Sequence, residues 1–343
     1  MPSVVGSAGR RAALGGIVAA VLLAACTPGT DSTPATPQPA TAAVAPAPTA
    51  TPAGEVRELV GHPRAAIVDP ATAHLVVLGG ADPVAADTVT VLGRDRPAAS
   101  PVVLPAPATA LTADGQGRVL LATRGGYFSV DLTVGTWTRT DIHDEQNTDF
   151  TAIARRADGR LVLGSSDGSV LVMASATDVA HRDRPVAKVD SIVASGNIAV
   201  VLDRGQTSVT AVNADGKRQQ ALRAGEGATT MAADPAGRVL VADTRGDELL
   251  VFGADPLILR QRYPVHDAPY GIAGSQRLAW VSQTATNTVI GYDLATGIPV
   301  EKVRYPTVQQ PNILAYDDAS GVLYVVSGSG AGVQVIEHAG QPR

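Results

Sequence analysis

Gly164-Ser165-Ser166-Asp167-Gly168 has the spacing G-x-S-x-G, in which a serine on a sharp strand-to-helix turn acts as a hydrolase nucleophile. Here the flanking stretches RLVLG and SVLVM both have strand character, so the motif joins two strands and Ser-Asp-Gly reads as a hairpin turn. Arg245-Gly246-Asp247 spells a tripeptide that some adhesins display, at a place where a Gly- and Asp-rich turn is expected anyway. Gly225-Glu226-Gly227 and the glycines at 328, 330 and 332 open no helix after a strand, which a phosphate-cradling loop requires. The histidines at 62, 74, 143, 181, 266 and 338 form no i, i+4 pair and have no carboxylate in metal-ligand spacing. A local zinc site is therefore not supported, while a divalent cation held by groups from separate repeats stays open.

Cys26 is the only cysteine, so an internal disulfide is excluded and stability must come from packing. It follows a basic patch (Arg10, Arg11), an apolar stretch over 12–23 and the small residues Ala24 and Ala25. That is a secretory signal layout, with an apolar stretch too short for a comfortable membrane span. Leu23-Ala24-Ala25-Cys26 resembles a bacterial lipobox. The resemblance implies removal of residues 1–25, a diacylglycerol thioether on Cys26, and a protein held at the outer face of the cell membrane by its acyl chains. Residues 26–54 then carry seven prolines among Thr, Ala and Ser without apolar periodicity; a disordered linker is expected. The net charge of −5 becomes −7 without Arg10 and Arg11, and no Lys/Arg run follows. Nucleic-acid binding by phosphate neutralisation is not expected.

The elements that would position any site come from a repeat. Matched apolar starts fall near residues 66, 110, 152, 191, 230, 271 and 313, at intervals of 39 to 44 residues, the length of a four-stranded propeller blade. Each copy has a short apolar strand, a turn, a Val/Leu strand, a second Gly/Asp/Asn turn and an alternating third strand, as in MAADPAGRVLVADTRGDELLVF. Polar fourth strands are expected at 136–142, 184–190, 217–223 and 298–304. The last copy ends after three strands, and EVRELV at 55–60 has fourth-strand character with no blade of its own. It can complete the last blade and remove the open sheet edges. The fold expected is all-β: one seven-bladed β-propeller over 55–343, closed by an N-terminal strand. An open solenoid would need capping repeats that the sequence lacks.

Residues 241–252, VADTRGDELLVF, resemble an NHL-repeat blade, and residues 281–297, VSQTATNTVIGYDLATG, resemble a YVTN-type surface-protein repeat. With the lipobox, the chain is similar to the propeller lipoproteins of high-GC actinobacteria. Such patterns specify a fold and leave the activity open.

The expected functional surface is the mouth of the central channel, just ahead of the innermost strands. The candidates there are His62, Arg64, Thr109, Asp149, Asp190, Thr229, Tyr270 and Asn312, a set suited to a small polar ligand or a cation. Propeller lactonases that use calcium resemble this architecture and hold the ion with a glutamate beside Asn and Asp. None of the eight positions is a glutamate. The leading expectation is a non-catalytic binding or scaffold module, present as a single copy, for a protein or cell-envelope partner, with no cofactor. A metal-assisted hydrolase or lactonase using Asp149, Asp190 and Asn312 is the alternative. A sensor or quinone-type dehydrogenase is disfavoured because only Trp137 and Trp280 could stack a cofactor.

Overall fold

The structure is a computed structural model that describes residues 38–80, 86–93 and 101–341. Cys26, the expected leader and the first part of the expected linker lie outside these residues.

Short Val- and Leu-rich segments separated by Gly, Asp and Asn turns can bury two faces only as stacked sheets, and seven four-stranded antiparallel sheets form. From the channel outward, blade 1 is β2 (His62–Asp69), β3 (His74–Gly80), β4 (Asp87–Leu92) and β5 (Val102–Val103). Blade 2 is β6 (Ala110–Ala113), β7 (Arg118–Thr123), β8 (Gly126–Asp131) and β9 (Trp137–Asp141). Blade 3 is β10 (Phe150–Arg155), β11 (Leu161–Ser165), β12 (Val170–Met173) and β13 (Val179–Asp183). Blade 4 is β14 (Ser191–Ser195), β15 (Ile198–Asp203), β16 (Ser208–Val212) and β17 (Arg218–Arg223). Blade 5 is β18 (Ala228–Ala233), β19 (Arg238–Asp243), β20 (Glu248–Ala254) and β21 (Leu257–Pro264). Blade 6 is β22 (Pro269–Gly274), β23 (Leu278–Gln283), β24 (Thr288–Asp293) and β25 (Val300–Pro306), with a single 3-10 turn at Thr284–Thr286. Blade 7 joins β26 (Pro311–Asp317), β27 (Val322–Ser327) and β28 (Val333–Ile336) to β1 (Glu55–Arg57).

The expected ring and its closure are both present. β1 pairs antiparallel with β28, Val56 opposite Gln334, so the first of the described strands completes the seventh blade. One expected strand is displaced: the fourth strand of blade 3 is β13, and 184–190 forms the connection to blade 4 instead. Outer strands are polar and half exposed, so their apolar pattern is weak; Pro185 and the Asp-Arg steps around it give no alternation to fix a register.

The core lies between blades. Seven hydrophobic clusters occupy the seven junctions, each built from the facing strands of two neighbours, including the junction of blade 7 with blade 1 around Leu75, Val77, Val322 and Tyr324. Burial of each Val or Leu contributes roughly 1.5–3 kcal/mol. Small side chains fill the thin layers; Trp280 is the largest fully buried one and stacks with Tyr305 and Tyr316.

Among the described residues no helix is long and apolar enough to cross a membrane. Gln38 to Gly54 contain no helix or strand. The segment does not stand clear of the domain, however: Ala40 and Ala45 are buried, and its first half is hydrogen-bonded to the propeller, as described next.

Candidate functional site

The inner strands enclose a cavity of about 680 Å³ lined by all seven blades. Its walls are mostly aliphatic side chains and backbone, such as Ile67, Leu111, Ile153, Ile192, Met231 and Leu314. Polar groups gather where the inner strands begin, because several of these strands start with a β-bulge. Register shifts fall between Pro63 and Ala65, Phe150 and Ala152, Ala228 and Thr230, Pro269 and Ile272, and Pro311 and Ile313. The extra residue of a bulge is re-aimed, and Arg64, Thr151, Thr229, Tyr270 and Asn312 all lie at the cavity.

Six of the eight sequence candidates therefore meet there: Arg64, Thr109, Asp190, Thr229, Tyr270 and Asn312. His62 and Asp149 are outside the lining. His62 is exposed, and the side chain of Asp149 is 59% exposed with Arg124 Nε at 3.7 Å. In blade 3 the bulge residue is Thr151, the position just ahead of the repeat start at 152. Aligning Thr109-Ala110-Leu111 with Thr151-Ala152-Ile153 points to it directly.

Most of these polar groups are engaged in holding the ring. Thr109 Oγ1 donates to Phe150 O at 2.7 Å and Thr151 Oγ1 to Val189 O at 2.5 Å, each bridging to the next blade. Thr230 Oγ1 bridges likewise to Tyr270 O. Thr229 Oγ1 shares a 2.6 Å hydrogen bond with Thr244 Oγ1, which donates to Pro269 O at 2.5 Å. Arg64 Nη2 lies 2.5 Å from Asp87 Oδ2 and donates to Ala108 O at 3.1 Å. Asp190 accepts the Arg204 N–H at 2.8 Å and has Lys188 Nζ at 3.0 Å. Asn312 Oδ1 accepts from Gln310 Nε2 at 2.9 Å. Among the described residues no three of His, Cys, Asp and Glu come together as a metal set.

Ser166 lies in the turn between β11 and β12, as its sequence context requires, and Gly168 there has φ +90°. A carboxylate beside it is perturbed by that turn: Ser165 Oγ hydrogen-bonds Asp167 and holds its carboxyl below the ordinary aspartate range, with help from the Ser169 N–H and hydroxyl and from Arg184 against the opposing effect of burial. Arg245-Gly246-Asp247 is the turn between β19 and β20.

A second ring of polar residues, at the ends of the second strands, was not among the sequence candidates. Thr123 Oγ1 donates to Pro107 O at 2.7 Å, Gln283 Nε2 to His266 O at 2.8 Å and Ser327 Oγ to Gln309 O at 2.7 Å. Asp203 Oδ2 accepts from the N–H groups of Ala187 and Lys188, and Asp243 Oδ2 from that of Glu226. Each ties a hairpin turn to the connection that precedes its blade. The signal was present as one polar residue closing each Val/Leu run: LLAT, VVLD, LVAD, WVSQ, YVVS.

These turns and connections make up the face at which the inner strands begin and one mouth of the channel lies, and residues 38–46 lie on this face. Arg245 Nη2 donates to Gln38 O and Arg204 Nη2 to Ala40 O, both at 2.6 Å. Gln310 Nε2 donates to Ala43 O at 2.7 Å, and Gln310 Oε1 accepts the Ala45 N–H at 2.9 Å. Gln309 Nε2 donates to Ala45 O at 3.0 Å and Asn287 Nδ2 to Pro46 O at 2.8 Å. Residues 38–46 thus touch blades 4, 5 and 6 and the connection leading into blade 7.

No family model matches the sequence, and no curated protein is similar to it in sequence. The fold is similar to solved structures. A streptogramin B lyase aligns with TM-score 0.66 at 10% identity, over 82% of this chain and 96% of the lyase. The virginiamycin B lyase from Staphylococcus aureus gives 0.66 at 11%, over 82% and 99%. A chain of the Kuenenia stuttgartiensis hydrazine synthase gives 0.65 at 15%, over 83% and 98%, and a chain of the mitotic checkpoint complex 0.69 at 10%, over 87% and 98%. At these identities the similarity establishes the propeller fold alone.

Proposed function

We propose that this chain is an exported lipoprotein, anchored at the outer face of the cell membrane through Cys26, whose propeller is a non-catalytic binding module for a protein or cell-envelope partner at the channel-opening face. The observation that carries the binding reading is how the mouth is used. Thr109, Thr151, Thr229, Arg64 and Asp190 are each engaged by backbone, a neighbouring hydroxyl or a counter-ion, and no serine or threonine there pairs with a histidine base as nucleophilic catalysis needs. A face built of backbone-braced turns from several blades suits recognition of a broad partner. Two of the structural neighbours are lyases and one is an assembly component, and such functional breadth on one fold fits a scaffold whose turns are free to vary. The lipobox and the NHL- and YVTN-like blades support the actinobacterial lipoprotein reading.

A metal-assisted hydrolase is the second reading, favoured by one observation: Asp190 and Asn312 both line the cavity. It is weakened by Lys188 on the Asp190 carboxylate and by the absence of Asp149 from the lining.

The anchor is tested by fractionating cells that express the full chain or Cys26→Ser. The original chain is expected to sediment with membranes and enter the detergent phase on Triton X-114 partition. More than nine-tenths of the variant is expected in soluble fractions or as uncleaved precursor lacking the lipid, because two acyl chains give stable anchoring that the polypeptide alone does not supply. Identical lipid labelling and partition of both chains would refute the anchor.

A further inference from the structure

We infer that the channel-opening face is a receptor for a proline- and alanine-rich, non-helical polypeptide segment, and that residues 38–46 of this chain are its resident occupant, which an external segment of the same chemistry displaces. The inference deepens the binding reading by naming the chemistry of the partner.

Three features of the contact point to recognition of backbone. All five donor side chains, Arg204, Arg245, Asn287, Gln309 and Gln310, address main-chain carbonyl oxygens of the segment, and Gln310 also accepts one of its amides. Prolines at 39 and 46 remove two of the nine amides and fix φ at those positions, so a segment of this type gives up less conformational freedom on docking than an unrestricted one. The donors come from turns 164 to 267 residues away in sequence, so the contact is assembled by the fold.

Selectivity for small side chains is also built in. Ala40 is 8% exposed and Ala45 is 4% exposed, whereas Val44 between them is 92% exposed. A Cβ at Gly227 would lie 2.9 Å from the Ala40 Cβ and 2.6 Å from that of Arg245. The groove thus has room for a methyl group at Ala40 only because position 227 has no side chain. The expected partner carries Ala or Gly at two positions five apart, the second followed by proline.

The site adjoins the channel mouth. Gln310 bonds both Ala43 and the lining residue Asn312, and Arg204 bonds Ala40 through its guanidinium and Asp190 through its amide. A partner segment that takes over these donors is registered against the mouth.

The test uses the full chain in detergent, its variant Ala40→Asp/Ala45→Asp, and a fluorescein-labelled peptide of residues 38–49, QPATAAVAPAPT, read by anisotropy. In the original chain the tethered segment competes at an effective concentration of about millimolar, so the peptide is expected to bind the variant at least tenfold more tightly. Adding Arg204→Ala and Gln310→Ala to the variant is expected to remove that binding, and a peptide with Asp at the two buried Ala positions is expected not to bind. No binding to a folded released variant, or binding insensitive to Arg204 and Gln310, overturns the proposal. If the variant fails to fold, hydrogen exchange on the original chain decides: excess unlabelled peptide speeds exchange at the Ala45 amide, and an unchanged rate overturns it. A propeller that binds its partner through a different surface would fail this titration and still cross-link a partner in cells, which separates the two failures.

Discussion

Replacing Asp243 by alanine is expected to lower the stability of the propeller by about 3–5 kcal/mol, the loss associated with breaking a buried charged hydrogen-bond network. The carboxylate is fully buried and accepts three backbone amides: Gly227 at 2.7 Å and Gly246 at 3.1 Å on Oδ1, and Glu226 at 2.8 Å on Oδ2. Gly225 is bound into the same arrangement, at φ +73° with its missing Cβ only 1.8 Å from Asp243 Oδ2. Alanine leaves three amides without their acceptor and opens space that water fills incompletely. Thermal melting followed by circular dichroism should show a drop on the order of 10 °C for a domain of this size. Asp243→Asn, which keeps one acceptor oxygen and points an NH₂ at amide donors, should fall between. The same change loosens Gly227 and Arg245, both of which touch residues 38–40, so protection of that segment should fall below what the global loss accounts for. A destabilisation under about 1 kcal/mol would mean that the turn holds itself without the carboxylate.

The second large effect is expected at the closure. Gln334 is fully buried in β28; its Oε1 accepts the Val308 N–H at 3.1 Å, and its Nε2 donates to Ala53 O at 2.7 Å and Pro306 O at 3.0 Å. One amide therefore holds the segment that leads into β1, the end of blade 6 and the last blade together. Ala53 N in turn donates to Pro306 O at 3.0 Å. Gln334→Leu preserves volume, leaves the Val308 N–H and the Ala53 carbonyl without this partner while Pro306 O keeps the Ala53 N–H, and is expected to cost about 2–4 kcal/mol. Because β1 is only three residues long, its amides should lose hydrogen-exchange protection before the rest of the ring does. Uniform loss of protection across all blades would instead place the weakness of the variant in the general core.

The blade count was legible in the sequence because every inner blade strand is apolar and every reversal needs Gly, Asp or Asn. The pairing of β1 with β28 was legible from the missing fourth strand of the last copy. Fourth strands were legible only where polar residues alternate, which is why β17 and β25 fall where expected and β13 does not. The mouth was legible as a position relative to the repeat. Counting back one residue from 152 gives Thr151, whereas Asp149 lies ahead of the bulge that begins at Phe150. The placement of residues 38–46 had no sequence signal. A segment with no apolar period offers nothing to a pattern argument, and its partners are amides and guanidiniums on turns that only the closed ring brings to one face. The ties of Asp203, Asp243 and Ser327 were visible as a repeated polar end to an apolar run, a regularity easily taken for ordinary turn composition.

Binding at the channel-opening face is the function proposed for this molecule. Photo-cross-linking in living cells addresses it most directly, with a photoreactive amino acid placed at the exposed Gln206, in the turn between β15 and β16, or at the exposed Ala236, in the turn between β18 and β19 on the opposite face. A discrete adduct is expected from position 206 that disappears when Arg204 and Gln310 are both alanine, and none from position 236. An adduct from position 236 with none from 206 would contradict it and move the partner to the other side of the propeller.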